Sequence, residues 1–169
     1  MNKRIVAVVC IFAIIGAVLA FVILSSPPSS SSSTVLYVDP QTVEGIVVGQ
    51  DFMVNIRISN ITDLYGWEFK FGWNASVLDE VSVSEGPFLN STGPTFFTYY
   101  LNTTNEHVVV DCNLLGSDTP GVNGSGVLAT ITFRVRENGA CDLNLYDTIL
   151  EDPNTLSISH VVHSGHFST

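Results

Sequence analysis

The chain has 169 residues, 46% of them hydrophobic, and its sixteen acidic against six basic side chains give a formal net charge of −10. All the acidic residues lie from Asp39 onward, where only Arg57, Lys70, Arg134 and Arg136 oppose them, so that part stands formally at −12. Nucleic acid is excluded as a partner, because its phosphates demand a basic footprint.

Lys3 and Arg4 precede Ile5–Leu24, twenty residues without a charge, an amide or a hydroxyl. At about 1.5 Å of rise per residue, such a helix matches the hydrocarbon thickness of a bilayer. Residues 1–24 therefore read as a single-pass membrane anchor, with the basic pair in the cytoplasm and the rest outside the cell. A secretory signal cleaved after Ala20 is the alternative, although Phe21–Leu24 continues the apolar run past that point. Either reading exports residues 25–169. Cys10 lacks the preceding small residue of a lipid-attachment box.

Residues 25–34, Ser-Ser-Pro-Pro followed by five serines and a threonine, have nothing to bury and read as an extended stalk. Residues 35–169 are a comfortable size for one domain with a real core. Their period is two. In Asp51–Ser59, Phe52, Val54, Ile56 and Ile58 alternate with polar or exposed-type positions, and Gly126–Arg136 alternates in the same way. Gly66–Trp73 sends Trp67, Phe69, Phe71 and Trp73 to one side, and Glu68 and Lys70 to the other. Further strands are predicted at Leu36–Asp39, Val77–Val83, Phe96–Leu101, His107–Leu115, Asp142–Leu150 and Leu156–Val162. Turn formers separate them, notably Gly49-Gln50, Asn60–Asp63, Ser117–Gly126 and Asp152–Asn154. Nine short strands and polar turns specify an all-β sandwich or jelly roll.

Five Asn-x-Ser/Thr sequons, at Asn60, Asn74, Asn90, Asn102 and Asn123, fall in predicted turns where a glycan can be accommodated. Cys112 and Cys141 point inward from different strands, so they either form a disulfide or remain two buried thiols.

No nucleophile elbow, phosphate loop, zinc-protease motif or EF-hand loop is present, and no cofactor is implied. Asp79 and Glu80 are strand neighbours on opposite faces, poor geometry for acid–base catalysis. His160, His163 and His166 recur every third residue, a spacing that alternates faces on a strand and does not converge on a metal. The reading is therefore of a protein that is not an enzyme. Trp67 and Trp73 share the Phe69/Phe71 face and read as core. Tyr65, Tyr99, Tyr100 and Tyr146 are the freer aromatic candidates, the first three for sugar stacking.

Three segments, in order, resemble one known family. Val48-Gly-Gln-Asp-Phe-Met-Val-Asn-Ile is similar to its "VGD-x-hydrophobic-x-V-x-hydrophobic" opening. Gly66-Trp-Glu-Phe-Lys-Phe-Gly-Trp-Asn-Ala-Ser-Val-Leu-Asp-Glu-Val-Ser-Val resembles its strand, turn and "VL-x-x-V-x-V" element. Gly126-Val-Leu-Ala-Thr-Ile-Thr-Phe-Arg-Val resembles its "G-x-LATITF-x-V" strand. Together they resemble a cohesin domain, the dockerin-binding module of cellulosomes, within the carbohydrate-binding-module superfamily.

The resemblance implies a nine-stranded jelly roll with a non-catalytic binding role, in which the sheet of strands three, five, six and eight docks the partner. Carried onto this chain, the docking face comprises Glu68 and Lys70, then Val109, Asp111 and Asn113, then Asn144 and Tyr146. Strand five is aromatic on both parities, so Tyr99 and Tyr100 remain alternatives there. A dockerin-like protein is the implied partner. Direct binding of a polysaccharide or glycoconjugate, and a purely structural role in the cell envelope, are the competing functions.

Overall fold

The computed structural model describes residues 33–102, 107–116 and 118–169. The predicted anchor, most of the stalk and part of the Asn102 sequon lie outside the described residues. Among those that are described, no helix is long and apolar enough to cross a membrane.

Among the described residues, eleven strands and one short helix follow in order: β1 (Val35–Asp39), β2 (Thr42–Glu44), β3 (Asp51–Leu64), β4 (Gly66–Gly72), β5 (Leu78–Glu85), α1 (Pro87–Asn90), β6 (Thr95–Asn102), β7 (His107–Leu114), β8 (Val122–Val135), β9 (Ala140–Glu151), β10 (Val161–His163) and β11 (Gly165–Ser168). They form two sheets, a five-stranded one ordered β10-β1-β3-β8-β5 and a six-stranded one ordered β2-β11-β9-β4-β7-β6. The all-β sandwich is as expected. The count is not, because the alternation predicts nine strands.

The two additional strands are β2 and β11, of three and four residues, which pair with each other in parallel. Both are too short to display an alternation. The strand predicted over Leu156–Val162 is mostly irregular: Ser157 makes an isolated bridge to Glu151, and only Val161–His163 pairs with β1. The turn predicted at Asn60–Asp63 is instead a bulged continuation of β3. Asn60 and Asp63 adopt φ of 55° and 61°, a left-handed conformation that Asn and Asp tolerate best among residues with a Cβ. Two side chains of β8 replace the ladder bonds lost there. Ser125 Oγ accepts from the Asn60 N–H at 3.1 Å, and Asn123 Oδ1 accepts from the Asp63 N–H at 2.9 Å.

The inward faces meet in one apolar core that includes Ile56, Trp67, Phe69, Phe71, Trp73, Ile131 and Phe133, as the alternation predicts. Phe133 of β8 packs against Phe52, Phe71 and Trp73, and Phe52 stacks on Phe167 of β11 with ring centroids 5.0 Å apart. These aromatics tie one sheet to the other. Burying each removes about 150–250 Å² from water, the dominant favourable term in a sandwich of this kind. The short helix α1 closes one side, burying Phe88 and Leu89. Gly86 before it lies so close to β8 that a Cβ would strike the Val127 carbonyl.

Two of the sheet borders lie on that side. At β5, Glu80 is aligned with the inward-facing Phe133 and the register shifts at Val81, two devices that discourage a further strand from pairing. At β6, the sequence Thr-Phe-Phe-Thr-Tyr-Tyr-Leu-Asn carries no charge.

Cys112 and Cys141 are both free and buried. The residue of β9 in register with Trp67, itself opposite Cys112, is Leu150, nine positions along the strand from Cys141. At about 3.4 Å per residue the two thiols are separated by about 30 Å, whereas a disulfide needs Cα atoms within about 7 Å. The disulfide alternative is therefore overturned in favour of two buried thiols. The sequon expectation also needs correction: only Asn74 lies in a turn between strands. Asn60 and Asn123 sit within β3 and β8, Asn90 ends α1, and Asn102 ends β6. All but the half-buried Asn102 are exposed.

Candidate functional site

The outward face of the six-stranded sheet is built from four central strands whose register sets side chains in rows. Across β6, β7, β4 and β9 the rows run Phe96–Asn113–Gly66–Glu151, Thr98–Asp111–Glu68–Ile149, Tyr100–Val109–Lys70–Tyr146 and Asn102–His107–Gly72–Asn144. All seven residues expected to dock a partner (Glu68, Lys70, Val109, Asp111, Asn113, Asn144 and Tyr146) therefore share one surface. The opposite parity, with Val108, Val110, Cys112, Leu114, Cys141, Leu143 and Leu145, is buried.

Alternation along β9 breaks at Asp147. Lys70 pairs with Tyr146 and Glu68 with Ile149, so β9 spends one more residue than β4 over the same interval. Asp147 takes φ of 46° at this bulge, and its carboxylate accepts from Lys70 Nζ at 3.0 Å. That bond raises the Lys70 ammonium above its ordinary pKa and keeps it charged. The extra residue turns Ile149 and Glu151 onto the same face as Tyr146. Sequence parity assigns them to the core side and misses them; an Asp within a strand is the one weak signal of the bulge.

Four large apolar side chains stand open on this surface: Tyr100 at 68% exposure, Phe96 at 57%, Ile149 at 42% and Tyr146 at 38%. Tyr100 belongs to the face and Tyr99 to the opposite parity, which resolves the two alternatives on strand β6. Gly72 places no side chain between β7 and β9, and the His107 and Tyr146 rings meet edge to face there, 6.3 Å apart. Sequence reading alone does not bring Phe96, Thr98 and His107 to the site. Beyond β9 the face continues to His166 of β11, whose Nδ1 lies 3.0 Å from Asp142 Oδ1.

A shallow pocket opens between β4, β7 and β9. Glu68, Asp111 and Glu151 rim it, Ile149 forms one wall, and Gly66 leaves space that the Asn113 side chain fills. Asn113 Nδ2 donates to Asp111 Oδ1 at 3.1 Å. Burial, reinforced by the Glu68 charge, nonetheless pushes the Asp111 carboxyl above its ordinary value; Asn113 opposes the shift and Glu151 adds to it.

The sugar-stacking candidates do not assemble. Tyr65 is tied down by its hydroxyl, which donates to the Gly116 carbonyl at 2.9 Å, and Tyr99 and Tyr100 diverge. A second cleft, at the open side between β5 and β6, is lined by Trp73, Leu78, Glu80, Leu101 and Arg136 among others. Its Trp73 ring packs on Phe133 and donates Nε1–H to the Leu78 carbonyl at 3.0 Å, so it serves the core. The three C-terminal histidines separate. His160 contacts Thr148 and the Ile158 carbonyl, His163 lies in the five-stranded sheet, and His166 lies in the six-stranded one. Among the described residues, no group of His, Cys, Asp and Glu is placed to hold a metal ion.

The fold and this face define a two-sheet β-sandwich whose developed surface is the outside of one sheet. The cohesin domain family model matches residues 36–167, and the chain belongs to that family. Cohesin is a family of non-catalytic binding modules. Among solved structures, the chain is similar to a non-cellulosomal cohesin from the hyperthermophilic archaeon Archaeoglobus fulgidus, with 20% identity and a TM-score of 0.67 over 81% of this chain and 91% of that one. It is also similar to a chain of the Coh-OlpC–Doc435 type I cohesin–dockerin complex from Clostridium thermocellum, with 12% identity and a TM-score of 0.68 over 84% and 96%. A third is a chain of the complex between the sixth cohesin of Acetivibrio cellulolyticus scaffoldin B and a Cel5 dockerin, with 18% identity and a TM-score of 0.67 over 81% and 99%. At these identities the likeness is one of fold. No curated protein matches the chain.

Proposed function

We propose that residues 33–169 are a non-catalytic docking module that binds a dockerin-like protein through the outer face of the β9-β4-β7-β6 strands. The observation that carries this reading is the contrast between the two sheet surfaces. The outside of the five-stranded sheet is mostly polar side chains paired with one another, Arg57 with Asp39, Arg134 with Asp51 and Thr130 with Asn55. Its exposed apolar residues, Met53, Val81 and Val161, lie on three different strands. The outside of the six-stranded sheet exposes Phe96, Tyr100, Tyr146 and Ile149 around an acidic centre. Exposed apolar groups gathered on a flat, polar-rimmed surface mark a protein interface. Family membership, and the dockerin complexes among the similar structures, support a partner of that kind.

Titration of the immobilised full chain with dockerin modules from the source genome tests the reading. Val109→Asp or Tyr146→Ala weakens binding at least about tenfold, while Met53→Ala on the other sheet leaves it unchanged. A dockerin panel that fails to bind, or binding insensitive to the face, overturns it.

The module is tethered outside the cell by Ile5–Leu24. The length and purity of that apolar run support this, as does the preceding basic pair. The full-length protein should remain with membranes after alkaline carbonate extraction. Recovery in the soluble fraction with an N-terminus after Ala20 would replace the anchor by a cleaved signal.

A further inference from the structure

Every lysine and arginine of the described domain is already committed. Arg57 lies 3.5 Å from Asp39, Lys70 3.0 Å from Asp147, Arg134 2.7 Å from Asp51 and Arg136 3.4 Å from Asp79. Glu68 and Asp111 nevertheless face each other directly across β4 and β7, and Glu151 joins them at the pocket rim. Directly opposed like charges destabilise a sheet, and among the described residues no lysine or arginine forms an ion pair with them: Lys70, one row away, feels the Glu68 charge but is held by Asp147. Among the described residues, the Asn113 amide to Asp111 is the hydrogen bond this rim receives. The surrounding surface is apolar on two sides, with Ile149 at the pocket wall and Tyr100 and Tyr146 one row away.

We propose that the docked partner inserts an arginine or lysine side chain into the pocket between β4, β7 and β9, and flanks it with apolar side chains that cover Tyr100, Tyr146 and Ile149. This rests on the docking reading above and specifies the partner's chemistry. A long cationic side chain fits in two respects. Its methylene stem lies against Ile149, and its charged head meets the carboxylates of Glu68, Asp111 and Glu151. A bare metal ion fits poorly, because these carboxylates are not placed to hold one. The partner is thus an amphipathic surface, most simply a helix, whose apolar stripe is interrupted by one basic residue. A strongly acidic partner is excluded by the same charges.

The test uses the full chain in detergent and two synthetic amphipathic helical peptides. These share a leucine face and differ only in carrying Arg or Gln at its centre. At low salt the Arg peptide binds about tenfold more tightly than the Gln peptide. Glu68→Gln with Asp111→Asn abolishes the difference. Glu137→Gln with Asp118→Asn, an equal change in net charge elsewhere, preserves it. A difference that survives the first pair, or disappears with the second, overturns the proposal. Equal binding of both peptides that is weakened by Tyr100→Ala with Tyr146→Ala overturns the proposal and leaves the docking reading standing. Failure of both peptides to bind, or binding indifferent to those tyrosines, overturns both.

Discussion

Glu68 on β4 and Asp111 on β7 oppose each other directly across an antiparallel ladder, two carboxylates where sheet pairing favours opposite charges. The domain carries this arrangement amid exposed apolar side chains, while each of its four basic side chains pairs with some other carboxylate. A local conflict of this kind costs stability in the free protein and is relieved when a complementary surface arrives.

The first prediction concerns that cost. A carboxyl whose pKa is raised in the folded state holds its proton more tightly when folded than when unfolded. The stability it lends is therefore complete at low pH and is lost as pH rises from the ordinary 3.8 through the raised folded value. Asp111→Asn removes this penalty. The variant is expected to be more stable than the wild type at about pH 7, with the advantage vanishing below the ordinary carboxylate range. Urea midpoints at the two pH values check it, and a wild type that is the more stable at neutral pH contradicts it.

A second prediction tests the join between the sheets. Phe133 is fully buried and touches Phe52, Phe71 and Trp73. Truncation to alanine should cost about 3–5 kcal/mol by lost transfer energy and the cavity left behind. Chemical denaturation measures this directly, and a loss below about 1 kcal/mol would be incompatible with the packing described.

The thiols provide a third. Burial, together with the Glu85 carboxylate, pushes Cys112 up to about 12, and burial also raises Cys141. Because the thiolate is the reactive form, neither cysteine should react with a disulfide reagent in the native protein near neutral pH, and both should react after denaturation. Reductant should leave the melting temperature unchanged. Rapid labelling of the native domain would show that one thiol is accessible.

The bulge on β9 gives the fourth. Asp147 holds φ of 46°, which glycine adopts freely and a β-branched residue resists. Asp147→Val should therefore be less stable than Asp147→Gly by about 1–2 kcal/mol. In Asp147→Gly the fold persists but Lys70 loses its carboxylate, so the Lys70 ammonium should titrate lower than in the wild type, a shift that NMR of the lysine side chain can follow. Equal stability of the two variants would place the bulge elsewhere.

Where the chain alternates without interruption, sequence and structure agree in detail. Trp67, Phe69 and Phe71 point inward with Glu68 and Lys70 outward, and Val108, Val110 and Cys112 are buried with Val109 and Asp111 on the face. Disagreement begins wherever one inserted residue resets parity. Asn60 and Asp63 look like turn formers but extend β3, and Asp147 reverses the side to which Ile149 and Glu151 project. The strands β2, β10 and β11 hold three or four residues each and exist because distant partners pair with them, a tertiary effect that local pattern does not record. The edge strand β6 is ambiguous for another reason. With aromatics on both parities, only its register against β7 places Tyr100 on the outer face and Tyr99 on the opposite parity, where it is still 47% exposed at the sheet edge.

That same border strand bears on how the protein behaves in the tube. Its eight uncharged residues have no inward-turned acid and no register shift to guard them, unlike β5 beside it. What keeps copies of the domain apart is mutual repulsion between acidic bodies, and this weakens once added salt shortens its reach to about 10 Å or less. Concentrated solutions should therefore turn cloudy as ionic strength rises, the reverse of a protein salted into solution near its isoelectric point. A glycan on Asn102, the last residue of the strand, would act as a steric bumper and restore tolerance to brine.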